Sequence, residues 1–430
     1  MSENKDSLMD KVISLAKRRG FIFPGSEIYG GLANAWDYGP LGVAMKNNIK
    51  ARWWKTFVES RTDMYGLDAA LLMNTKVWEA SGHLKEFSDP LVECKACHAR
   101  FRAEDVTSLT CPTCKKGELT EAKQFNLMLK THLGPVESAD NEVYFRPETA
   151  QGIFVNFKNV VDTMRPKLPF GIAQIGKAFR NEITPGNFIF RMREFEQMEI
   201  EYFVREADWE KYFEEWRVNM LGWITDLGIK PEEIFELEVA KDELAHYSKR
   251  TIDFEYKFPF GQKELFGLAY RTDFDLKNHG LDYTDDEGQK LIPHCIEPSL
   301  GVDRSLLASL LSAYTEEQLE KDERVVLKLP NWLAPIKVAI FPLMKNKPEL
   351  VAKAQEIFAS LQKDLVCVFD DNGNVGKRYR RQDEIGTPFC VTVDFDSLEK
   401  NTVTVRDRDT MTQEVIKIDE LKNYLQSKLI

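Results

Sequence analysis

The fold of this chain is decided by residues 179–203, FRNEITPGNFIFRMREFEQMEIEYF. The pattern predicts a strand, a tight loop at Thr184–Asn187 and a second strand, because proline presets φ in turns and glycine tolerates a positive φ. Side chains of the second strand alternate between two faces. One face is predicted to carry Arg193, Phe195, Gln197 and Glu199, and the other Met192, Met198 and Ile200.

The polar face of this hairpin has the chemistry of a nucleotide site. Arg193, Phe195 and Glu199 share the face, and Arg180 and Glu182 add a second cation–carboxylate pair near the end of the first strand. A guanidinium group binds phosphate, an aromatic ring stacks on a base, and a carboxylate takes an amine or a metal ion. A surface hairpin with solvated ion pairs explains the same pattern, so the hairpin alone leaves both interpretations open.

The composition indicates a globular protein with two to three domains. The chain has 430 residues, of which 43% are hydrophobic and 30% are charged. No apolar run approaches the ~18–20 residues that span a bilayer. Charges interrupt the N-terminal segment, where Leu8, Val12, Leu15 and Ala16 predict an amphipathic helix instead of a signal peptide. We therefore expect a cytoplasmic protein without membrane contact.

The formal net charge of −11 limits the kind of nucleic-acid binding to expect. Non-specific binding depends on neutralised phosphates, so an acidic chain is a poor candidate for it. A local basic groove stays possible. Four cations fall within five residues near the C-terminus, namely Lys377, Arg378, Arg380 and Arg381. They are consistent with a tRNA contact and equally with a solvated helix start.

The cysteines indicate one metal site in a reducing compartment. Cys94 and Cys97 form one Cys-x₂-Cys pair, Cys111 and Cys114 form another, and thirteen residues separate the pairs. This spacing is typical of a zinc knuckle, because each pair can turn tightly and aim two thiolates at one tetrahedral centre. Four thiolates leave no open coordination position, so the predicted zinc is structural. A degenerate, empty knuckle is the alternative.

Helical spacing recurs in two further segments. Residues 41–58 carry the adjacent pair Trp53 and Trp54, and residues 209–227 carry an aromatic stripe that is typical of core packing. The tryptophan pair is consistent with a core position, which is favoured, or with a subunit contact. Strands are expected at 251–260 and 264–272, around a Phe260–Gly261 turn.

A strand followed by glycine and a helix is predicted at residues 294–307. Arg304 then lies in the first turn of the helix, where backbone N–H groups also point outward and make a natural anion site. Neither a G-x-x-x-x-G-K-[ST] loop nor a G-x-G-x-x-G fingerprint is present in the sequence. Two separate arginine sites are present instead, Arg180 near a strand end and Arg304 at a helix start.

The chain changes character after a proline-punctuated segment at residues 329–335, which predicts a linker. Short strands alternate with helices beyond it, as in a small α/β domain. The strands are expected at 337–341, 365–369, 389–395 and 402–406, and the helices at 349–362 and 419–427.

Several segments together resemble the dimeric glycyl-tRNA synthetases. Arg180 in FRNE and Arg304 in GVDR are similar to motifs 2 and 3 of class II aminoacyl-tRNA synthetases. The closer match is carried, in family order, by WDYGPLG, VWEASGH, RPETAQG, FRNEITPGNF, REFEQME, EYKFPFG and EPSLGVDR. Residues 376–388 resemble a class IIa anticodon-binding domain, so the resemblance covers nearly the whole chain.

The resemblance implies an α+β fold. An antiparallel-sheet class II catalytic domain would occupy residues 1–333, with a zinc-knuckle insertion at 90–122. A C-terminal α/β anticodon-binding domain would occupy residues 334–430. The implied activity is ATP-dependent attachment of glycine to tRNA(Gly) through a glycyl-adenylate, by a homodimer that uses Mg²⁺ and structural Zn²⁺.

The resemblance also implies roles at an ATP site, with Arg180, Glu182 and Arg304 as the catalytic residues. Arg180 would hold the α-phosphate and the substrate carboxylate, Glu182 would read the adenine amine, and Phe195 would stack on the base. Arg191 and Arg193 would fold the triphosphate, and Arg304 would take the γ-phosphate. The remaining expected ATP contacts are Asn181, Phe190, Glu264, Leu265 and Gly301. Glu264, with Glu297, is the expected carboxylate contact to Mg²⁺.

A glycine site is implied by the same comparison. Glu148, Glu199, Glu297 and Ser299 would surround the ammonium and Cα of glycine. The rest of the implied set is Arg102, Glu196, Gln197 and Gly301, although Glu104 stands close to Arg102 where the family usually has aspartate. Three carboxylates suit glycine, which offers no side chain and can be recognised, apart from its carboxylate, only through its ammonium group. Alanine would be rejected sterically, because Ser299 would leave no room for its methyl group.

Two other functions compete with this interpretation. Synthetase-like folds recur as non-catalytic accessory subunits, and fold alone does not separate them from enzymes. Such relatives lose the phosphate-binding arginines, whereas Arg180 and Arg304 are intact here. A class II synthetase for another small amino acid is opposed by the glutamate-rich pocket and the EPSLG string.

Overall fold

The computed structural model describes residues 7–138, 141–319 and 323–429. Its helices are α1 Leu8–Arg19, α2 Pro40–Trp54, α3 Thr75–Ala80, α4 His83–Glu86, α5 Ala150–Met164, α6 Trp209–Asp226, α7 Phe274–Asn278, α8 Val302–Ala313, α9 Pro348–Leu361, α10 Val375–Ile385, α11 Phe395–Glu399 and α12 Ile418–Lys428.

The strands are β1 Ile22–Pro24, β2 Trp36–Tyr38, β3 Met64–Gly66, β4 Leu72–Met73, β5 Ser88–Glu93, β6 Arg100–Arg102, β7 Lys123–Asn126, β8 Lys130–His132, β9 Glu142–Phe145, β10 Phe170–Phe179, β11 Glu194–Val204, β12 Ile234–Glu238, β13 Arg250–Phe258, β14 Gly261–Thr272, β15 Tyr283–Thr284, β16 Lys290–Leu291, β17 His294–Gly301, β18 Tyr314–Gln318, β19 Glu323–Leu327, β20 Val338–Pro342, β21 Cys367–Phe369, β22 Phe389–Val393, β23 Thr402–Asp407 and β24 Gln413–Lys417.

A seven-stranded sheet with the order β12-β13-β14-β17-β11-β10-β3 forms the centre of the molecule. Its neighbouring strands run antiparallel, apart from the parallel pairing of β10 with β3. Apolar side chains of β11, such as Met198 and Ile200, lie in the main core with residues of α6 and α8. Helix α5 packs Phe154 and Phe157 against Phe170 and Phe203 in a second core. The antiparallel sheet and its helices confirm the predicted fold class.

The prediction of a tight loop in the opening stretch was wrong. The two strands are β10 and β11, and residues 180–193 form a long loop between them that contains a 3₁₀ turn at Phe188–Phe190. Arg193 therefore precedes the strand on which it was expected. The cause is burial: the loop's apolar side chains at 188, 189, 190 and 192 pack into the main core and draw the chain down onto it.

The aromatic helices are core elements, as the favoured interpretation held. Trp53 is fully buried in the main core, together with Trp216 and Met220 of α6. Helix α2 continues from residue 55 as a π-helical turn, Lys55–Glu59. A subunit contact through Trp53 is therefore wrong, because no part of that side chain is available to a partner.

The C-terminal sheet has the order β21-β20-β22-β23-β24, with α9 and α12 packed in its core. The expected strands and helices are present, α10 begins where a helix start was one of the two interpretations, and α11 and β24 were not predicted. Ile385 at the end of α10 belongs to the main core, so the C-terminal sheet is anchored to the rest of the molecule. Among the described residues, no helix is long and apolar enough to cross a membrane.

The four cations of the 377–381 segment have different surroundings. Arg378 is buried and donates hydrogen bonds to the backbone carbonyls of Pro342, Asp371 and Gly373. Both interpretations, tRNA contact and solvated helix start, were therefore wrong for Arg378. Arg381 pairs with Asp370 at 2.6 Å, whereas Lys377 lies exposed in the first turn of α10.

Candidate active site

Two adjoining cavities open on the polar face of the central sheet. The first, here called the cationic cavity, has a volume of about 330 Å³. The second, the acidic cavity, has a volume of about 260 Å³. Arg180, Gln197, Glu264 and Ser299 line both. A molecule that fills both cavities would therefore pass these four residues.

Guanidinium groups from distant segments converge on the cationic cavity. Arg180 follows the last residue of β10, Arg191 lies in the long loop, and Arg304 lies in the first turn of α8. Burial lowers the pKa of the Arg191 guanidinium, and the nearby positive charges of Arg102 and Arg304 lower it further. Several cations crowded in one hollow are the expected partner of a polyanion such as a triphosphate.

Contacts within the protein hold the arginines in place. The Arg180 side chain lies 5.3 Å from the ring centroid of Phe195 and donates to the Pro147 carbonyl at 3.1 Å. Arg304 donates to the Glu264 carbonyl at 2.9 Å, and its guanidinium lies 4.4 Å from the Phe190 ring. Such pre-positioning removes part of the reorganisation that a reaction would otherwise require.

The start of α8 is tied to the sheet beside this cavity. Buried Asp303 accepts from Lys46 Nζ at 2.8 Å and from the Glu196 backbone N–H at 2.7 Å, and it also contacts the Tyr38 hydroxyl. This anchor fixes the position of Arg304, the next residue. Lys46 and Asp303 were not anticipated from the sequence, because 257 residues separate them.

The acidic cavity gathers Glu148, Glu199 and Glu297. Of the three, Glu199 accepts the most hydrogen bonds. Its Oε2 accepts from the backbone N–H of Thr149 at 2.9 Å and from the Thr149 hydroxyl at 2.5 Å. Its Oε1 accepts from Gln197 and Ser299, both at 2.7 Å. Burial raises the pKa of the Glu199 carboxyl, and the neighbouring Glu148 charge raises it further.

Fully buried Arg271 stands behind the three carboxylates. It forms a two-pronged pair with Asp275, at 2.8 and 2.9 Å, and donates to Glu297 at 2.8 Å. Burial raises the pKa of Glu297 to about 8, with Arg271 opposing this effect. Arg271 was missed in the sequence, and its only local signal is the i, i+4 spacing to Asp275.

Buried hydrogen bonds of Arg146 fix the segment that carries Glu148. Buried Arg146 donates to the carbonyls of Lys177 at 2.7 Å and Ala69 at 2.8 Å. Gly176 makes room for this side chain, because a Cβ there would lie 2.2 Å from Arg146 Nη2. In the string Arg146-Pro147-Glu148, the buried arginine therefore fixes the backbone, and the glutamate that follows lines the acidic cavity.

Most of the expected site residues line one cavity or the other. The cationic cavity holds Arg102, Arg180, Glu182, Phe190, Arg191, Phe195, Glu196, Gln197, Glu264, Leu265, Ser299, Gly301 and Arg304. The acidic cavity holds Glu148, Arg180, Gln197, Glu199, Glu264, Glu297 and Ser299.

Several placements differ from the expectation. Asn181 and Arg193 line neither cavity, and Arg193 instead donates to the carbonyls of Glu182 and Ala33. Arg102 borders the cationic cavity only and pairs with Asp89 at 2.7 Å. The Glu196 carboxylate is bound by Lys46 and Lys50, both at 3.0 Å, because it points away from the face that carries Phe195 and Gln197.

The four knuckle cysteines meet at one point. The Sγ atoms of Cys94, Cys97, Cys111 and Cys114 all lie within 4.8 Å of one another. Two of the separations, Cys94–Cys114 and Cys97–Cys111, are 3.7 Å. Zinc bound tetrahedrally at about 2.3 Å from each sulfur requires a sulfur–sulfur distance of about 3.8 Å. The donor set and its spacing therefore fit Zn²⁺.

Comparison with known proteins first defines the class. The family described as "tRNA synthetase class II core domain (G, H, P, S and T)" matches residues 135–314, and the family described as "Anticodon binding domain" matches residues 337–428. The central antiparallel sheet and its arginine-lined cavity thus belong to a class II aminoacyl-tRNA synthetase core.

The particular family follows from full-length relatives. Glycine–tRNA ligase of Caldanaerobacter subterraneus subsp. tengcongensis is 52% identical over 98% of each chain. The enzyme of the same name from Bacillus thuringiensis is 53% identical over 98% of this chain and 99% of its own, and that of Alkaliphilus oremlandii is 52% identical over 99% of both. The chain belongs to the glycine–tRNA ligase family. None of these comparisons favours a non-catalytic accessory subunit.

Proposed function

We propose that this chain attaches glycine to tRNA(Gly) through a glycyl-adenylate intermediate. The observation that carries the proposal is the junction of the two cavities at Arg180, Gln197, Glu264 and Ser299. A triphosphate bound by the arginines would present its α-phosphorus at this junction. An amino acid whose ammonium lies among the glutamates would present its carboxylate from the other side.

The chemistry needs no covalent enzyme nucleophile. A glycine carboxylate oxygen attacks the α-phosphorus, the bond to the bridging oxygen breaks, and pyrophosphate leaves. Charge develops on the phosphate oxygens, so fixed cations supply the catalysis together with the alignment of the two substrates. Arg180 is assigned to the α-phosphate and Arg304 to the γ-phosphate, with Arg191 between them.

The base and the metal ion have candidate partners at the same site. We assign the adenine ring to Phe195 and its amine to Glu182. Mg²⁺, when bound with ATP, neutralises phosphate charge, and Glu264 is the carboxylate assigned to it. Glu297 stays a candidate beside Glu264, because each keeps one oxygen outside its arginine pair: Glu264 Oε2 lies 3.2 Å from Arg304, and Glu297 Oε1 lies 2.8 Å from Arg271.

Glycine selectivity follows from charge and space together. Glu148, Glu199 and Glu297 surround the ammonium with acceptor oxygens, which suits a substrate without a side chain to grip. Ser299 forms the wall near Cα, and the hydrogen bond from its hydroxyl to Glu199 holds it there. A methyl group would meet this wall, so the rejection of alanine is assigned to steric exclusion.

The remaining parts of the molecule are assigned to tRNA, assembly and stability. We assign residues 1–333 to catalysis, with the 90–122 insertion held by structural Zn²⁺, and residues 334–430 to anticodon binding. A homodimer in the cytoplasm is the assembly and location we propose for it, and both rest on the family.

Amino-acid-dependent exchange between ATP and pyrophosphate tests the proposal. Across the twenty amino acids, exchange is expected with glycine alone. Arg180→Gln and Arg304→Gln should each lower the rate about 100- to 1,000-fold, since one lost contact to developing charge costs ~3–4 kcal/mol. Arg52→Gln is the matched control, because Arg52 pairs with Asp226 on the surface at 2.9 Å. Exchange with no amino acid, or with a different one, contradicts the proposal.

A further inference from the structure

A buried histidine touches the acidic cavity from outside. His83, at the start of α4, is 2% exposed and lines neither cavity. Its Nε2 lies 3.4 Å from Glu148 Oε2, and its Nδ1 lies 2.8 Å from Ser81 Oγ. The rings of Trp78 and Phe87 pack against it, with centroids at 5.6 and 5.4 Å. Nothing in the proposed mechanism uses this side chain.

The hydrogen bonds around His83 fit a doubly protonated ring. Ser81 Oγ lies 3.4 Å from the Trp78 carbonyl, to which its hydroxyl can donate. The hydroxyl oxygen is then left to accept from His83 Nδ1–H, while Nε2–H points to Glu148. In this arrangement both ring nitrogens act as donors, which is the donor pattern of an imidazolium.

The charge balance of the cavity calls for this second cation. Arg271 faces Glu148 at 3.8 Å, but it lies 2.8 Å from both Asp275 and Glu297. The other groups that face Glu148 are Gln151 at 3.2 Å, the carboxylates of Glu199 and Glu297, and the hydroxyl of Tyr247. Neighbouring buried carboxylates cannot all ionise without compensating charge.

We propose that His83 is a positioning residue whose imidazolium keeps Glu148 ionised and aimed at the ammonium group of glycine. The inference deepens the proposed function and rests on it. Burial raises the pKa of the Glu148 carboxyl, but His83, Arg271 and the hydrogen bond from Gln151 together bring that pKa well below its usual range. His83 thus acts on glycine through Glu148 and has no role at the phosphates.

The variant His83→Gln tests this assignment because it removes the charge and retains a donor. At pH 7 the KM for glycine should rise about 10- to 100-fold, the range of a lost charge-assisted hydrogen bond, while the KM for ATP stays within about twofold. The acid limb of kcat/KM for glycine should move to higher pH, since Glu148 now ionises less readily. Glycine affinity should accordingly recover at alkaline pH.

His246→Gln is the matched control. His246 Nε2 lies 3.1 Å from the backbone oxygen of Ser81, on the same turn, and makes no contact with Glu148. This variant should leave the acid limb in place. A loss in His83→Gln that is independent of pH, or that affects glycine and ATP equally, would overturn the inference.

A direct measurement covers the case in which His83→Gln does not fold. Nitrogen-15 NMR of the wild-type protein should show both His83 ring nitrogens protonated at pH 7. A neutral ring would contradict the proposed role of His83. The two proteins, wild type and His83→Gln, test the proposed function and the role of His83 separately. If the wild-type protein shows no glycine-dependent exchange, the proposed function is wrong. If the wild type is active and His83→Gln has the same KM for glycine and the same pH dependence, only the assignment of His83 is wrong.

Discussion

At the scale of single residues, hydrogen bonds within the protein fix the carboxylates of the acidic cavity. Glu199 receives four hydrogen bonds, from the backbone and hydroxyl of Thr149 and from the side chains of Gln197 and Ser299. Its two oxygens are therefore fixed in direction. Selectivity in such a pocket depends on where each atom stands, because a small displacement of a fixed carboxylate weakens its contact to an ammonium.

Ser299→Ala should change both the exchange with alanine and the KM for glycine. Ser299 lies on β17 opposite Gly267 of β14, so no side chain from that neighbour fills the space that the hydroxyl leaves. We expect exchange with alanine to rise about 10-fold, within the ~1–3 kcal/mol of a methyl group. The KM for glycine should rise too, because Glu199 loses one donor. Steady-state exchange with each amino acid measures both effects.

The control for this prediction is Ser309→Ala. Ser309 is also buried, but its hydroxyl bonds the Leu227 carbonyl inside the core, away from both cavities. It should leave the ratio of glycine to alanine exchange unchanged. If Ser299→Ala behaves in the same way, Ser299 is not the wall.

The sequence revealed the residues that face the ligand better than those that support them. Glu148, Glu199 and Glu297 stand in strings that resemble a known family, and the structure gathers them in one cavity. Arg271 stands in no such string, and His83, which ends the string VWEASGH, has no signal that links it to Glu148. Arg271 reaches Glu297 across 26 residues of chain, and only the folded sheet brings such partners together.

At the scale of secondary structure, local signals failed where burial opposed them. Proline and glycine at 185–186 predict a tight turn, yet the loop between β10 and β11 spans residues 180–193. Phe188, Ile189 and Phe190 lie in the main core, and this burial outweighs the preference for a short hairpin. The strands on either side were predictable, because their alternation reflects the same core.

Helix α10 offers a matched pair of neighbouring cations for a test of tRNA binding. Lys377→Gln should weaken tRNA binding and lower the salt slope by about one, because it removes one exposed charge. Arg378→Gln should instead lower the melting temperature, since it leaves buried carbonyls such as Pro342 without a donor. Filter binding at several salt concentrations and thermal melting separate the two effects.

Each variant of the pair serves as the control for the other. Lys377→Gln should leave melting and ATP–pyrophosphate exchange unchanged, since its side chain is exposed. An equal loss of tRNA binding and exchange in Lys377→Gln would mean that its effect is on folding, and the assignment of α10 to tRNA would fail.

At the scale of the whole molecule, buried ion pairs join the C-terminal sheet to the rest. Asp383 of α10 binds Arg406 of β23 through two hydrogen bonds, at 2.9 and 3.1 Å. Its Oδ2 also lies 3.6 Å from Arg324 of β19, which is fully buried. Arg324 in turn donates to the Arg408 carbonyl at 2.7 Å. Arg324 also pairs with Glu317 at 3.2 Å. Asp383 therefore compensates Arg406 and shares the compensation of Arg324 with Glu317, so it links the two sides of this junction.

Asp383→Asn should loosen this junction. Removing one partner of a buried ion pair costs about 3–5 kcal/mol, and here Arg406 loses its carboxylate while Arg324 keeps Glu317. All eight tryptophans lie at or before residue 332, so tryptophan fluorescence reports on the N-terminal part alone, whereas circular dichroism reports on the whole chain. In urea, the dichroism of Asp383→Asn should therefore change at lower denaturant than its fluorescence.

Function should divide along the same line. Asp383→Asn is expected to keep glycine-dependent exchange, which needs only the two cavities, and to lose aminoacylation of tRNA, which needs both parts in register. Asp396→Asn is the control, because Asp396 pairs with Lys400 on the surface at 3.0 Å and such exposed pairs contribute ~0–1 kcal/mol. Coincident transitions in both probes, with aminoacylation intact, would show that the junction does not depend on Asp383.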